Sequence, residues 1–238
     1  MAWATGWLGH SYQALGRYAE AEPLVSRALR LAEALLGPNH PDVATALDAV
    51  AALSIKLGKF EDAETRYRRS LAIREKTLDP GDPTLGTGLD NLAGLLEILG
   101  RYAEAEHLYK RALRIREAAL GSEHTDVAQS LNNFAALLVS QGRLAETEPI
   151  YQRALSIHRK LHGANNPDIA TTLNNLAALY HSLGRLTEAE TLHKNAWAIR
   201  VMTLGASIQM WPIPCTISPR CIVPKAGIPT PRPCTNAR

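Results

Sequence analysis

Gly-Arg-Tyr-Ala-Glu-Ala-Glu, at residues 100–106, is the stretch that decides the fold, because it recurs along the chain. An identical copy occupies residues 16–22, and related versions occupy residues 58–64, 142–148 and 184–190. The glycines that open the copies stand at 16, 58, 100, 142 and 184, so the period is 42 residues. A fixed period in the range of about 20–50 residues indicates an array of repeats.

Each period contains the signals for two helices. Pro41 and Asp42 suit the first turn of a helix, and apolar residues then recur at three- and four-residue steps until Gly58. A glycine at that point predicts a helix end in the left-handed conformation. A second helix is predicted from about Phe60 to Leu78, followed by a turn. We call the first helix of each unit helix A and the second helix B; the same layout recurs at residues 83–120, 124–161 and 167–204.

Small residues recur at fixed phases where the two helices of a unit must approach each other. One series lies on helix A and two lie on helix B. Larger side chains at these phases would force the helices apart, so the pattern predicts close packing. The series are Ala51, Ala93, Ala135 and Ala177; Ala21, Ala63, Ala105, Thr147 and Ala189; and Ala28, Ser70, Ala112, Ala154 and Ala196.

The small-residue phases and the tyrosines at 67, 109 and 151 resemble tetratricopeptide repeats. The period of 42 residues and phrases such as Asn-His-Pro-Asp-Val-Ala at residues 39–44 resemble the kinesin-light-chain type of that repeat. The resemblance implies an all-α, right-handed superhelical solenoid of antiparallel helix pairs. It also implies that the A helices line the concave surface, while the B helices lie mostly outside.

Three segments are expected along the chain. Residues 1–16 resemble a truncated first repeat helix, and residues 17–205 form the repeat array. Residues 206–238 hold seven of the fourteen prolines, all three cysteines and no acidic residue. This composition is typical of a disordered, proline-rich tail.

A shifted reading frame is an alternative origin of residues 206–238. Codons that begin at the third base of each residue's codon permit Asp-Val-Ala from residue 209 onward, and the Val is forced because Met210 and Trp211 each have one codon. Further on they permit Asn-Leu-Ala-Ala-Leu-Tyr and then Gly-Arg-Tyr-Thr-Asp-Ala-Glu. The hidden Asp and Gly fall 42 residues after Asp168 and Gly184. We expect a frameshift near residues 205–206, in a chain that is a segment of a longer array.

The charge and hydropathy of the sequence limit the classes of partner that the protein is expected to bind. Four of the 26 basic residues and none of the 23 acidic residues lie after residue 205, which leaves the repeats nearly neutral. Such a surface does not favour nucleic acid or an anionic membrane. With no transmembrane span and no signal peptide recognisable in the sequence, we expect a cytoplasmic protein. The last intact helix lacks a polar cap, so self-association through it is possible.

Polar residues recur on the helix A face that is expected to be exposed. Amides suit peptide recognition, because each offers donors and an acceptor to the backbone of an extended peptide. In the family that the chain resembles, the position of Asn91, Asn133 and Asn175 often carries an Asn with this role. The other candidate peptide-binding residues are Asn132, Asn174, Asp48, Asp90, Thr87, Gln129 and Thr171.

The remaining polar residues do not suggest catalysis. His40 and His124 share a phase with Asp82 and Asn166, which predicts a role at a helix start. His158 and His162 could reach one metal ion, but no third ligand follows at an obvious spacing. We therefore expect no enzyme activity, no metal and no cofactor. The arginines at 27, 69, 111 and 153 are expected to pair with acidic residues of the neighbouring helix, for instance the glutamates at 22, 64, 106 and 148.

The leading functional hypothesis is a non-catalytic scaffold that binds an extended peptide or a partner helix in the concave groove. The alternative is the sensor or regulatory arm of a larger protein with a fused ATPase or protease domain.

Overall fold

The computed structural model describes residues 11–204 apart from residues 14, 164 and 165. Most of residues 1–16 and all of residues 206–238 lie outside the described residues, and so do the predictions made for them. The helices are α1 (Tyr18–Leu36), α2 (Pro41–Lys56), α3 (Phe60–Thr77), α4 (Leu85–Ile98), α5 (Tyr102–Leu120), α6 (Thr125–Ser140), α7 (Leu144–His162), α8 (Pro167–Ser182) and α9 (Leu186–Leu204).

The helices form an all-α solenoid of antiparallel pairs, as predicted. Helices α2, α4, α6 and α8 are the A helices, and each packs against the B helix that follows it and the B helix that precedes it. The A helices also contact one another, α2 with α4, α4 with α6 and α6 with α8. The A helices therefore form one continuous layer of the array.

The turn that opens each copy of the motif has the predicted backbone. The glycines at 16, 58, 100, 142 and 184 have φ angles between 72° and 76°, in the left-handed region that favours glycine. The amide of the next residue donates a hydrogen bond to a carbonyl of the preceding helix, for example Arg101 to Leu96 at 2.8 Å. This bond satisfies one of the free carbonyls at the helix end.

The helix starts also follow the sequence. The Nδ1 atoms of His40 and His124 accept hydrogen bonds from the amides of Asp42 and Asp126, at 3.2 and 3.1 Å. Asn166 caps α8 in the same way. The prediction that this phase acts at a helix start is confirmed. Asp82 likewise accepts from the amide two residues later, that of Thr84, although α4 begins only at Leu85.

The core runs the length of the array between the two layers. In the series on helix A, Ala51, Ala93, Ala135 and Ala177 are fully buried, and the two series on helix B are buried apart from Ala28. Around them pack leucines and the tyrosines at 67, 109 and 151. The predicted close approach of the helices is confirmed.

The motif also links neighbouring units through ion pairs. Arg101 donates to Glu104 in its own helix and to Glu64 of the preceding unit, both at 2.6 Å. Glu106, in the same copy of the motif, accepts from Arg143 of the following unit. The pairs Lys59–Glu22 and Arg185–Glu148 repeat this 37-residue link. The three inner copies of the motif, at residues 58–64, 100–106 and 142–148, therefore connect to both of their neighbours.

The helix B arginines pair with acidic residues of a neighbouring helix, as expected, but not with the glutamates given as examples. Arg69, Arg111 and Arg153 pair with Glu33, Glu75 and Glu117 of the preceding helix B, at 2.6–2.7 Å. The glutamates at 22, 64, 106 and 148 pair with the motif cations instead. The angle between successive B helices brings the later glutamate, near the helix end, within reach of the arginine.

Gly100→Ala is expected to lower the free energy of unfolding by about 1–2 kcal/mol, because an alanine there must adopt the left-handed conformation. No atom lies within 4 Å of the added methyl group, so the cost is one of backbone conformation alone. Urea unfolding measures it. Gly94→Ala, within α4, is the matched control: its methyl group makes only an ordinary 3.5 Å contact with Tyr109, and we expect no loss, or a gain of roughly 0.5–1 kcal/mol. Equal losses in the two variants would contradict this account.

Candidate functional site

The outward face of the A helices carries a stripe of polar and small side chains. In α6 the stripe consists of Gln129, Asn133, Ala136 and Ser140, which lie one helical turn apart. All four are at least partly exposed. Because the A helices contact one another, equivalent stripes lie side by side and form one surface, which we call the A-face. The other stripes are Thr45, Ala49, Ala52 and Lys56 in α2; Thr87, Asn91, Gly94 and Ile98 in α4; and Thr171, Asn175, Ala178 and Ser182 in α8.

The three asparagines expected to bind peptide lie in neighbouring stripes of the A-face. Asn91, Asn133 and Asn175 are each partly exposed. The Oδ1 of Asn133 accepts a hydrogen bond of 2.9 Å from Gln129. No side-chain hydrogen bond joins Asn91 or Asn175 to another described residue. Their amides therefore remain able to pair with a ligand.

Small residues lie beside the asparagines across the A-face. One turn after each amide stands Gly94, Ala136 or Ala178, and Ala52 holds the same phase in α2. These positions leave space above the backbone of the A helices. A peptide lying across the A-face would contact amides next to small residues. This arrangement suits an extended peptide backbone better than a bulky side chain.

The hydroxyl and amide positions at the start of each stripe are exposed, as expected. Thr87, Gln129 and Thr171 are all exposed. The hydroxyl of Thr171 donates to the Pro167 carbonyl of its own helix, at 3.3 Å. Thr87 also accepts a 3.3 Å bond from Arg116, which ties it to the interior. These residues form the border of the A-face nearest the helix starts.

Of the residues Asp48, Asp90, Asn132 and Asn174, all expected to be exposed, Asn174 is partly exposed like Asn175, whereas the side chains of the other three are largely buried. Asn132 is 4% exposed, and the side chain of Asp90 is 9% exposed. Their phase points between the helices rather than outward, so each side chain meets a neighbouring helix. Asn174 is partly buried and lies 3.0 Å from the Nδ1 of His193 in α9. Asp48, Asp90 and Asn132 therefore lie beneath the A-face.

A buried ion pair occupies this phase in the first two complete units. Asp48 accepts from Arg74 at 2.7 Å, and Asp90 accepts from Arg116. Arg116 also donates to Ser130 on the next A helix, so one guanidinium joins α4, α5 and α6. Burial is the largest influence on the pKa of Asp90 and raises it, while the charge of Arg116 acts in the opposite direction. The pair is therefore a desolvated contact that fixes the spacing of three helices.

The third unit replaces both partners of the pair. Asn132 stands at the phase of Asp90, and His158 stands at the phase of Arg116. Asn132 donates to Thr172 at 2.8 Å, whereas neither ring nitrogen of the fully buried His158 has a hydrogen-bond partner. Sequence reasoning missed this network, although the 42-residue recurrence of Arg, Arg and His at 74, 116 and 158 carries its signal.

The glycine at position 86 shows how tightly Arg116 is held. A methyl group there would lie 2.6 Å from the Nε of Arg116, whereas Ala44, Ala128 and Ala170 hold the same phase in the other units. Gly86 thus admits the guanidinium alongside α4. Gly86 is the exception among the alanines at this phase, and the buried guanidinium of Arg116 is the physical reason.

His158 and His162 lie with ring centroids 6.4 Å apart. Among the described residues, no group of three or more potential metal ligands comes together. Within the same part of the chain, none of the helices combines the length and apolar character needed to cross a bilayer.

Comparisons with known proteins agree with this architecture. The tetratricopeptide repeat family model matches residues 1–76, 84–146 and 126–200. A putative kinesin light chain from Podospora anserina with nearly identical TPR-like repeats is similar in structure, with a TM-score of 0.65 and 24% identity over 84% of this chain and 95% of that chain. BtubC from P. vanneervenii has a TM-score of 0.67 and 25% identity, over 95% of this chain and 85% of that chain.

A third solved structure is more distant in sequence. The Rap protein complexed with Competence and Sporulation Factor has a TM-score of 0.71 at 16% identity, over 84% of this chain and 54% of that chain. No curated protein matches the sequence. The kinesin-light-chain-like resemblance is confirmed by the first two structures, and the family model covers well over half of the residues. The chain therefore belongs to the tetratricopeptide repeat family, whose repeats serve as protein-interaction scaffolds.

Proposed function

We propose that this protein is a non-catalytic scaffold that binds an extended peptide segment of a partner protein across the A-face. The observation that carries the proposal is the row of Asn91, Asn133 and Asn175, of which two have no side-chain partner among the described residues. An amide side chain can both donate to and accept from a peptide backbone. Three amides on successive units therefore match the repeating bonds of an extended chain.

The electrostatics of the A-face favour a partner recognised through its backbone. Lys56 is the one residue with a full charge among the four stripes defined above. A surface of amides, hydroxyls and small residues offers little to nucleic acid or to an anionic membrane, which bind through clustered cations. We accordingly propose a protein or peptide partner, and a cytoplasmic location for the encounter.

Alanine substitution of the asparagines tests the proposal. Each lost hydrogen bond costs about 0.5–1.5 kcal/mol, so Asn133→Ala with Asn175→Ala is expected to weaken peptide binding about tenfold or more. A peptide array first supplies the ligand, and fluorescence anisotropy with the selected peptide then measures its Kd. The folded state is verified by circular dichroism, since both side chains lie at the surface.

The matched control is Asn195→Ala, which removes an exposed amide from a B helix, away from the A-face. We expect no change in the Kd. If the double variant on the A-face binds the peptide as tightly as the unaltered chain, the proposed groove is wrong. An equal loss in the Asn195→Ala variant would also count against it, because the effect would then not depend on the A-face.

A further inference from the structure

The outward face of α9 carries apolar side chains that the other B helices bury. Trp197 is 68% exposed and Leu186 is 58% exposed. Between them, Ala189 and His193 line a groove that runs along the helix. His181 of α8 also borders this groove, and in each earlier unit the B helix packs against the A helix that follows it as well as against its own.

The equivalent residues of α7, 42 positions earlier, show which kind of helix this face would contact. Leu155 holds the phase of Trp197 in α7; it is 7% exposed and packs in one cluster with Ile169 and Leu173 of α8. Tyr151 holds the phase of His193; it is 2% exposed and packs with Leu176. The contacts on α7 come from an A helix, so α9 presents the surface that an A helix covers.

The carboxylate of Glu190 on α9 also indicates that an A helix would cover this face. Glu64, Glu106 and Glu148 accept from the motif arginine of the following unit, and their side chains are 19–29% exposed. Glu190 holds this phase in α9 and is 66% exposed, and it forms an ion pair with Lys194 of its own helix. A following unit with an arginine after its glycine would complete the 37-residue link.

The codons of the chain itself supply such a unit in a shifted frame. One base inserted near residues 205–206 makes the third base of each later codon the first base of the next. The codons of Ile208 to Pro212 then permit Pro-Asp-Val-Ala, in register with Pro167, Asp168, Ile169 and Ala170. The Val and the Ala are fixed, because Met210 and Trp211 have single codons and proline codons begin with two cytosines.

The rest of the shifted frame keeps the same register. It permits leucine at the phases of Leu173, Leu176 and Leu179, all of which are buried in α8. It permits Gly-Arg in register with Gly184 and Arg185, which places the arginine where Glu190 requires it. The surface of α9 and the hidden codons thus agree in apolar pattern and in charge.

We propose that the outward face of α9 is the seat of a further helix A, and that its sequence is the one carried in the shifted frame of residues 208–226. In the restored chain this helix covers Trp197 and Leu186, and the arginine of its motif binds Glu190. The seat belongs to the array and is separate from the A-face.

Fluorescence of Trp197 tests the proposal in the full chain. Trp3→Phe, Trp7→Phe and Trp211→Phe leave Trp197 as the single tryptophan of the present chain, and the restored gene, which has one inserted base, carries the first two changes. In the restored protein we expect the emission to shift to the blue, acrylamide quenching to fall severalfold, and the unfolding midpoint in urea to rise. Quenching as strong as in the present chain, or a loss of helical signal on restoration, would overturn the proposal.

Two further measurements separate the occupants. In the restored protein, an aspartate in place of the encoded leucine that aligns with Leu173 is expected to return the quenching to its original level. If quenching is unchanged by this substitution, the encoded helix does not cover α9. In the present chain, protection of Trp197 that increases with protein concentration would assign the seat to a second copy of the chain and overturn the proposal.

Discussion

Asp90→Ala is expected to lower the free energy of unfolding by about 3–5 kcal/mol, because it leaves the guanidinium of Arg116 buried without its counter-charge. The side chains of Arg116 and Asp90 are 7% and 9% exposed, so water cannot replace the lost carboxylate without opening the array. The same guanidinium also bonds Ser130 on α6, and its displacement loosens two units at once. Urea unfolding followed by circular dichroism measures the loss.

The double variant Asp90→Leu with Arg116→Met distinguishes an unpaired charge from lost packing. Replacing both partners of a buried pair by apolar side chains of similar volume is often neutral, so we expect it to recover most of the loss. Glu104→Ala is the surface control: it removes a carboxylate that is 54% exposed from an ion pair, and we expect little change. A double variant as unstable as Asp90→Ala would show that the charge is not the cause.

Grafting the pair into the third unit is expected to lower stability strongly in each single variant and only slightly in the double variant. Asn132→Asp or His158→Arg alone places one full charge in a buried site, at a cost of about 3–5 kcal/mol. Together they recreate the pair of Asp90 and Arg116, and Thr172 offers the hydroxyl that Ser130 provides in the second unit. We expect the double variant to recover most of the loss, with a coupling energy of at least about 3 kcal/mol.

The pH dependence of stability in the same variants provides an independent test of the buried site. Burial lowers the pKa of His158 below its ordinary value of 6.5; Asp168 partly opposes this effect and His162 adds to it. A histidine with a lowered folded-state pKa contributes stability above pH 6.5 that is lost as the pH falls through the folded-state value. The unaltered chain should therefore lose stability from this group below pH 6.5, and the double variant should lack that loss. Additive single effects, or an identical pH profile, would contradict the assignment.

Helix boundaries and close contacts could be predicted because they depend on local chemistry and on a single period. Gly100 ends a helix since its φ of 75° suits glycine, and Ala93 is buried since a larger side chain would separate the pair. The cap at His124 depends only on a side chain and the amide two residues later. None of these features requires knowledge of the angle between units.

The features that sequence could not supply depend on that angle. Arg111 pairs with Glu75 rather than Glu64 or Glu106, because the rotation between B helices decides which carboxylate it reaches. Asn132 was expected at the surface and is buried, because its side chain lies against the next A helix and donates to Thr172. The exposed phase of Asn133, one residue later, was correctly anticipated, while its role in binding stays a prediction.

The surface ion pairs of the motif and the buried pair of Asp90 and Arg116 respond differently to the loss of one repeat unit. The difference depends on where in the unit the deletion starts. Loss of residues 102–143 would join Arg101 to Leu144, and the ion pairs of the motif would keep their partners, since Glu146 and Glu148 replace Glu104 and Glu106. The interior would not be conserved, because Asp90 would then face His158. Loss of residues 83–124, which starts at a helix A, keeps each buried aspartate with its own arginine. Recombination of such genes is therefore expected to tolerate crossovers between units and to reject those within a unit, so the buried pair defines the heritable module.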